Sequence, residues 1–305
     1  RGNTMGTTYS VKTAAGAEEG ALEAEIKTRL QKINNLMSTY LPDSELSRFN
    51  QSPVGEPFEL SAETRRVLEM AIQVNQMSNG KFDVTVGPLV NLWGFGPESG
   101  DQTVPTEEEI ETALTRVGMD KLHLKGNYIT KSINTYVDLS AIAKGFGVDE
   151  IAAILDARGI EDYLVEIGGE LRAHGLNDRG QPWRIAVEKP DVFQRAPFKA
   201  IDVRNQAMAT SGDYRNFFEV KERRYSHTLD PTTGYPVDHN VASVTVLTTE
   251  TAMADGLATA INVMGVEAGL TMAEQHNLAV LVIINTEDGF AERHSSAFAT
   301  YLRRE

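Results

Sequence analysis

Residues 251–259 carry a carboxylate and a hydroxyl that could bind a metal ion. Asp255 and Thr259 lie four residues apart, so on a helix both side chains project from one face. Carboxylate and hydroxyl oxygens are hard ligands that suit Mg²⁺, with water or phosphate oxygens as its other ligands. Small residues around the pair allow a ligand or a backbone to come close. The alternative is a threonine bonded back to its own helix beside a solvated aspartate.

A second polar segment, residues 137–147, could bind an anion at the start of a helix. Asp138 or Ser140 could cap that helix, and its first backbone N–H groups would then face an anion. Lys144 is expected about one turn inside the helix, where its ammonium group could reach a phosphate. The alternative is a capped structural helix with a solvated lysine.

Residues 226–236 combine a turn with a titratable ring. The run from Asp230 to Gly234 (DPTTG) is typical of a turn, because proline fixes φ and glycine accepts a positive φ. His227 is expected at a strand end beside this turn, where its imidazole could act as an acid or a base. A hydrogen-bonded turn histidine is the alternative. The remaining histidines have no comparable setting and are expected at the surface or in turns: His123, His174, His239, His276 and His294.

Three further segments are candidate pocket walls. Residues 80–96 place aromatic side chains among glycines, which could enclose a planar ring, although core packing would equally explain Phe82 and Trp93. Residues 166–170 predict a strand end with a tight turn, and residues 210–215 predict a polar turn. All of these polar segments are therefore expected at the ends of strands and helices.

Helical and strand periodicity predicts the elements that hold these segments. Apolar residues at helical spacing predict a helix over residues 21–40, followed by a loop with three prolines. The next helix is expected to begin after Ser61 and to end before Gly80, and Thr106 with Glu109 forms a capping-box pattern. The other predicted elements are helices at residues 140–158 (ended by Gly159) and 252–264, and strands at 183–187, 200–203, 241–247 and 278–284.

This order of elements predicts one intertwined α+β unit over residues 1–305. Helices and strands alternate too irregularly for a doubly wound sheet, and no repeat, low-complexity tract or linker interrupts them. The motifs GxGxxG, GxxxxGK[ST], HExxH and GxSxG are absent, which argues against Rossmann, P-loop, zinc peptidase and α/β-hydrolase functions.

The composition of the chain argues against several classes of binding partner and site. The chain has 29 basic and 43 acidic residues, hence a net charge of −14 and a pI near 5.0. Nucleic acid and anionic membrane surfaces are therefore not expected as partners, because association would begin against like charge. Cysteine is absent, which excludes disulfides, thiolate metal sites and a cysteine nucleophile. The longest apolar run, residues 278–284, is far too short to cross a membrane.

Taken in order, these segments resemble the FAD:protein FMN transferases of the ApbE family. Eight stretches match in register across most of the chain. They are residues 4–9 (TMGTTY), 37–40 (MSTY), 82–88 (FDVTVGP), 138–145 (DLSAIAKG), 167–169 (IGG), 211–214 (SGDY), 227–234 (HTLDPTTG) and 254–259 (ADGLAT). The resemblance implies the T-fold-like α+β architecture of that family rather than a Rossmann fold.

The resemblance also implies an activity. Such an enzyme cleaves the pyrophosphate of FAD, transfers the FMN moiety to a threonine hydroxyl of a target protein, and releases AMP. FAD is then the substrate and Mg²⁺ the cofactor. Family targets carry a Ser/Thr-Gly-Ala-Ser/Thr motif and include subunits of membrane redox complexes. This chain lacks the motif, as expected of the modifying enzyme.

Site residues carry over position by position. The resemblance implies a Mg²⁺ site formed by Asp255, Thr259 and the backbone carbonyl of Ala141. It implies that the flavin nucleotide faces Lys144, Met5, Tyr40, Phe82, Asp83 and Leu229. Such a cation would neutralise the pyrophosphate in a protein whose own charge repels it. Transfer also needs a base for the incoming threonine, and His227 is the candidate, with Asp230 as second choice.

The resemblance finally implies a periplasmic or otherwise extracytoplasmic enzyme, tethered to the membrane as a lipoprotein through an N-terminal cysteine. No cysteine is present, so processing or trimming upstream is expected to account for the missing anchor. Two other functions stay open: a Mg²⁺-dependent FAD pyrophosphatase that uses water as the acceptor, and a flavin-binding protein that does no chemistry. The pyrophosphatase would share the same pocket residues.

Overall fold

The computed structural model describes residues 1–13, 19–97, 103–190, 196–212, 217–220 and 223–302. The strands are β1 (Gly2–Thr4), β2 (Thr7–Thr13), β3 (Phe58–Glu59), β4 (Leu122–Lys125), β5 (Tyr128–Lys131), β6 (Tyr163–Ile167), β7 (Glu170–His174), β8 (Trp183–Glu188), β9 (Pro197–Val203), β10 (Gln206–Gly212), β11 (Phe217–Val220), β12 (Arg223–Ser226), β13 (Val241–Thr248), β14 (Ala279–Thr286) and β15 (Gly289–His294). The α-helices are α1 (Glu19–Met37), α2 (Glu45–Gln51), α3 (Ala62–Met77), α4 (Gly87–Leu92), α5 (Glu107–Leu114), α6 (Ala143–Ala157), α7 (Thr251–Met264) and α8 (Val266–Gln275), and short 3₁₀ helices lie at Met119–Lys121 and Ala297–Tyr301.

An eight-stranded sheet forms the centre of the molecule. Its strand order is β1-β2-β6-β7-β10-β13-β14-β15, and every neighbouring pair is antiparallel. Smaller sheets pair β3 and β4 with β5, β8 with β9, and β11 with β12. The predicted α+β class is therefore confirmed, and an antiparallel sheet excludes a doubly wound Rossmann arrangement.

Both faces of this sheet are covered, which explains the apolar run at residues 278–284. In β14, Val280 and Val282 pack in the large core with the helices. The intervening Leu281 and Ile283 pack in a second core with β8, β9 and the C-terminal 3₁₀ helix. A strand buried on both faces reads as a continuous apolar run rather than as an alternating one. No helix in the described ranges is long and apolar enough to span a membrane.

Several predicted helix ends are confirmed. The Ser61 hydroxyl accepts a hydrogen bond from the Thr64 N–H and caps α3, which ends at Met77 before Gly80. Thr106 and Glu109 form the predicted capping box of α5. The loop with three prolines, however, contains a helix that periodicity did not predict. Helix α2 is only seven residues long, too short for a clear pattern.

Two local predictions were wrong. Helix α6 begins at Ala143 rather than near residue 140, and neither Asp138 nor Ser140 caps it. The Asp138 carboxylate instead accepts hydrogen bonds from the N–H and hydroxyl of Ser140 in a local turn, which competes with helix formation there. Thr210, Ser211 and Gly212 belong to β10 rather than to a turn. The rest of that predicted turn, residues 213–215, lies outside the described residues.

Candidate active site

A cavity of about 350 Å³ gathers most of the predicted site residues. It lies where α7, the end of β10 and the segments around residues 83, 140 and 229 meet. Nine of the predicted residues line it: Tyr40, Phe82, Asp83, Ala141, Lys144, His227, Leu229, Asp255 and Thr259. Asp230 is not among its lining residues, and Met5 lies in a neighbouring cavity.

That neighbouring cavity has a volume of about 470 Å³ and a more apolar lining. Met5 lines it, and Tyr40, Ser140 and Lys144 line both cavities. Lys144 is the second residue of α6 rather than about one turn inside it, because α6 begins at Ala143. The two cavities therefore form two lobes that meet at a lysine.

The helices α6 and α7 hold each other in place at this junction. Oδ2 of Asp255, in α7, accepts a hydrogen bond of 3.0 Å from the N–H of Gly145, in the first turn of α6. In an uninterrupted helix that N–H would donate to the carbonyl four residues earlier, which is that of Ala141. Asp255 thus caps α6 in the role that sequence had assigned to Asp138 or Ser140, and it leaves the Ala141 carbonyl available to a ligand.

Lys144 is paired with two buried carboxylates. Its Nζ lies 3.0 Å from Oε1 of Glu170 and 3.7 Å from Oδ2 of Asp255. Burial disfavours the ammonium, but the two carboxylates outweigh burial, and the pKa of Lys144 lies above its ordinary value. Burial raises the pKa of Asp255, and it raises the pKa of Glu170 to about 7. Oε2 of Glu170 is buried and has no hydrogen-bond partner among the described residues.

The oxygen donors near Asp255 fit a hard divalent cation. Asp255 offers a carboxylate, Thr259 a hydroxyl and Ala141 a backbone carbonyl, and all three residues line the same cavity. Within the described chain, the contacts of Asp255 to Gly145 and Lys144 both use Oδ2, which leaves Oδ1 to a ligand. No group of three or more His, Asp or Glu side chains suited to a metal occurs in that part of the chain. Such a site would therefore rely on mixed oxygen donors, which Mg²⁺ accepts when water or phosphate completes its octahedron.

Asp83 orders another part of the cavity wall. Its Oδ1 accepts hydrogen bonds from the N–H and hydroxyl of Thr85, and Oδ2 accepts one of 3.2 Å from the Met119 N–H. Burial raises the pKa of Asp83, and these hydrogen bonds offset part of that effect. The neighbouring Phe82 is almost fully buried and lines the cavity. Asp83 therefore has both a structural role and access to a ligand.

The turn at Asp230 is tied to the cavity by Lys81. Nζ of Lys81 lies 2.7 Å from Oδ2 of Asp230 and 2.7 Å from the hydroxyl of Thr232. Burial would raise the pKa of Asp230, but hydrogen bonds and the Lys81 charge dominate and lower it. Gly234 has the positive φ that was predicted, +78°.

His227 follows β12 directly, as predicted, and lines the cavity. Its ring meets that of Phe95 edge to face, with centroids 6.4 Å apart. Trp93, by contrast, is fully buried and donates a 2.8 Å hydrogen bond from Nε1 to the Gly234 carbonyl. Core packing therefore explains Trp93, whereas Phe82 and Phe95 are the aromatic residues of that segment that line the cavity.

Sequence reasoning missed several polar residues of the cavity. Four of them are Lys81, Asp138, Glu170 and Thr210. Three of them stood in segments already singled out as pocket walls, so the local glycine and aromatic pattern was the available signal. Asp138 had been interpreted only as a helix cap. None of these segments contains a spacing rule that assigns one side chain to the cavity, because that depends on how distant elements pack.

Comparisons with known proteins show which family this chain resembles. A model of the ApbE family matches residues 5–282. A Vibrio cholerae protein named FAD:protein FMN transferase is 51% identical over 307 residues, covering 99% of this chain and 92% of its own length. A protein of the same name from Haemophilus influenzae is 48% identical, covering 97% of this chain and 89% of its own.

Solved structures give the same result for the fold. The flavin transferase ApbE from Vibrio cholerae matches with a TM-score of 0.91 at 50% identity, covering 99% of this chain and 97% of that one. The apo form of the Pseudomonas stutzeri flavinyl transferase ApbE matches with a TM-score of 0.91 at 40% identity, covering 98% and 95%. The resemblance carried by the eight short stretches is thereby confirmed, and the chain belongs to the ApbE family.

Proposed function

We propose that this chain is a Mg²⁺-dependent FAD:protein FMN transferase that attaches FMN to a threonine hydroxyl of another protein and releases AMP. The observation that carries the proposal is the meeting of three sets of residues in one cavity. Hard oxygen donors around Asp255, a paired lysine at Lys144, and a histidine at His227 all line it. The relatives from Vibrio cholerae and Haemophilus influenzae are both named FAD:protein FMN transferase, which supports the same activity.

The shape of the site suits a dinucleotide. FAD consists of two ring-bearing halves joined by a pyrophosphate, and the site consists of two lobes joined at Lys144 and Ser140. We place the pyrophosphate at this junction, with Tyr40 and Phe82 beside the rings. The ammonium group of Lys144 would then contact a phosphate oxygen while Glu170 keeps the lysine in place.

Mg²⁺ would be held by Asp255, Thr259 and the Ala141 carbonyl. When bound there, it supplies the positive charge that a pyrophosphate needs and polarises the phosphoryl group. In this chain the Gly145 N–H donates to Asp255 rather than to the Ala141 carbonyl, which leaves that carbonyl available to the ion.

The reaction itself is a phosphoryl-type transfer, in which positioning and charge stabilisation supply most of the catalysis. The threonine oxygen forms a bond to the phosphorus of the FMN half, and the bond from that phosphorus to the bridging oxygen breaks. AMP departs with the bridging oxygen. His227 takes the hydroxyl proton as the threonine attacks.

His227 suits the role of base better than Asp230 does. Asp230 lies outside the lining of the cavity, and its carboxylate is bonded to Lys81 and Thr232. Its lowered pKa also makes it a weak proton acceptor. Asp230 therefore serves to hold the turn that follows His227.

The test uses purified protein, FAD and Mg²⁺, with and without an acceptor protein that carries a Ser/Thr-Gly-Ala-Ser/Thr motif. We expect a covalent FMN mass gain on the acceptor and release of AMP, both abolished by EDTA. Free FMN produced at the same rate without acceptor would identify a pyrophosphatase instead. FAD recovered intact in every sample would identify a flavin-binding protein.

A His227→Asn variant tests the proposed base. We expect it to bind FAD normally and to lose most of the transfer rate, about 10²-fold or more. His276→Asn is the matched control, because His276 is exposed at the end of α8, away from the cavity lining. Full activity of His227→Asn with intact FAD binding would refute the assignment.

We also propose, from the family resemblance, that the reaction takes place in the periplasm.

A further inference from the structure

We propose that Asp149 is a positioning residue for the metal-binding end of the cavity, which it controls by fixing the start of α7 against α6. The inference rests on the proposed function, because it concerns the residues that would hold Mg²⁺. Asp149 itself is buried in the middle of α6 and is not among the residues that line the cavity.

Asp149 caps α7 from a different helix. Its Oδ1 accepts hydrogen bonds of 2.9 Å from both the N–H and the hydroxyl of Thr251, and its Oδ2 accepts one of 2.9 Å from the Ala252 N–H. These two residues begin α7, and the residue before them, Glu250, gives the helix no side-chain cap. The first N–H groups of α7 would otherwise be unsatisfied and buried.

Helix α7 in turn caps the start of α6. Asp255 of α7 caps α6 through the Gly145 N–H, so each helix receives a carboxylate from the other. Between the two caps the backbones touch, since a Cβ on Gly145 would lie only 2.4 Å from the carbonyl oxygen of Thr251. Because both caps join the same two helices, a shift of α7 along α6 would strain one or both of them.

Strand β7 anchors both ends of this arrangement. Nη1 of Arg172 lies 3.2 Å from Oδ1 of Asp149, and Oε1 of Glu170 lies 3.0 Å from the Lys144 ammonium. Arg172 and Glu170 are two residues apart on one strand and therefore point to the same face of the sheet. One strand thus holds α6 at two charged residues.

The position of α7 along α6 sets the separation of the metal donors. Ala141 precedes α6, whereas Asp255 and Thr259 belong to α7, so their oxygens converge only in one alignment of the two helices. Groups that orient metal ligands without touching the metal typically change affinity by about 10–100-fold when mutated. Asp149 would orient Asp255 in this way, because it holds the start of the helix that carries Asp255.

Two variants and one control test the proposal. Asp149→Asn keeps the shape of the side chain but places an NH₂ group against one of the α7 N–H groups and removes the charge opposite Arg172. Thr251→Val removes only the hydroxyl hydrogen bond. Thr106→Ala removes the N-cap of α5, whose capping residues do not line the cavity, and controls for a general loss of stability.

The readout is binding of Mn²⁺, followed by loss of the free-ion EPR signal, with FAD present and no acceptor. We expect Asp149→Asn to weaken Mn²⁺ binding by about tenfold or more and Thr251→Val by a smaller factor, with Thr106→Ala within about twofold of wild type. Wild-type Mn²⁺ affinity in both test variants, with a melting temperature lowered as in the control, would overturn the proposal. If Asp149→Asn does not fold, wild-type affinity in Thr251→Val overturns it.

The wild-type protein separates this inference from the proposed function. Wild type that transfers FMN, with all variants binding Mn²⁺ equally, refutes only the role of Asp149. Wild type that neither binds Mn²⁺ nor transfers FMN refutes the proposed function itself.

Discussion

Substitution of Gly145 by alanine should damage both stability and activity, although alanine is the better helix former. A Cβ at this position would lie 2.4 Å from the Thr251 carbonyl oxygen and 2.7 Å from the Ala252 Cα. Both are backbone atoms and cannot rotate away. Ordinary contact begins near 3.4 Å, so α6 and α7 must separate by about 1 Å.

The magnitudes decide the direction of the effect. Alanine in place of glycine in a helix stabilises by about 1 kcal/mol. Overpacking costs about 1–3 kcal/mol, and weakening the bond from the Gly145 N–H to Asp255 costs about 1 kcal/mol more. The free energy of unfolding should therefore fall by about 1–3 kcal/mol. A displacement of 1 Å at the donors of Asp255 and Ala141 should lower the transfer rate by about 10²-fold.

Gly147 in the same helix provides the matched control. A Cβ there would meet only the ends of flexible side chains, Cδ1 of Ile167 at 3.1 Å and Cε of Met5 at 3.2 Å. Gly147→Ala should therefore keep its stability within about 1 kcal/mol and most of its activity. Urea unfolding and the rate of FMN transfer measure both effects. If Gly145→Ala matched Gly147→Ala in both, the close contact between α6 and α7 would not control the site.

Three further substitutions test individual contacts. Burial raises the pKa of Glu170 to about 7, so this carboxyl ionises in the unfolded chain before it ionises in the folded protein, and the free energy of unfolding falls as pH rises from about 4.5 to 7. Glu170→Gln should remove this pH dependence, which urea unfolding at about pH 5 and 8 measures. Lys81→Met should cost about 1 kcal/mol near pH 7, and less as pH falls through the lowered pKa of Asp230 and the carboxylate becomes protonated; an undiminished cost at low pH would contradict the ion pair. Trp93→Phe should cost about 1–3 kcal/mol in thermal or urea unfolding, because the buried Gly234 carbonyl loses its donor.

Local sequence patterns predicted the secondary-structure elements better than they predicted how these elements pair. The apolar run at residues 278–284 and the caps at Ser61 and Thr106 depend on neighbouring residues, so periodicity and cap chemistry identified them. The pairing of β2 with β6 and of β7 with β10 joins distant segments, and no local pattern determines it. Helix α2 was missed for the same reason, since Leu46 and Phe49 acquire their burial from the tertiary core.

The candidate site shows the same difference between local sequence patterns and contacts between distant segments. Residue types and spacing indicated Asp255 with Thr259, and His227 at a strand end, because these patterns lie within one turn or one loop. The capping of α6 by Asp255 could not be inferred, because it requires a residue of α7 to meet the start of a helix more than a hundred residues earlier in the chain. Local cap chemistry indicated Asp138 or Ser140, which are closer in sequence but are hydrogen-bonded to each other.

The charges of the cavity explain why a lysine alone is a poor receptor for a pyrophosphate here. Among the described residues, Lys81 and Lys144 line the cavity together with four carboxylates. Both ammonium groups are already paired, Lys81 with Asp230 and Lys144 with two buried acids. Drawing Lys144 fully onto a phosphate would leave those acids buried without a counter-charge, which costs several kcal/mol. A divalent cation at Asp255 would avoid this conflict, since it would neutralise the carboxylate and the phosphate together and leave Glu170 paired with Lys144.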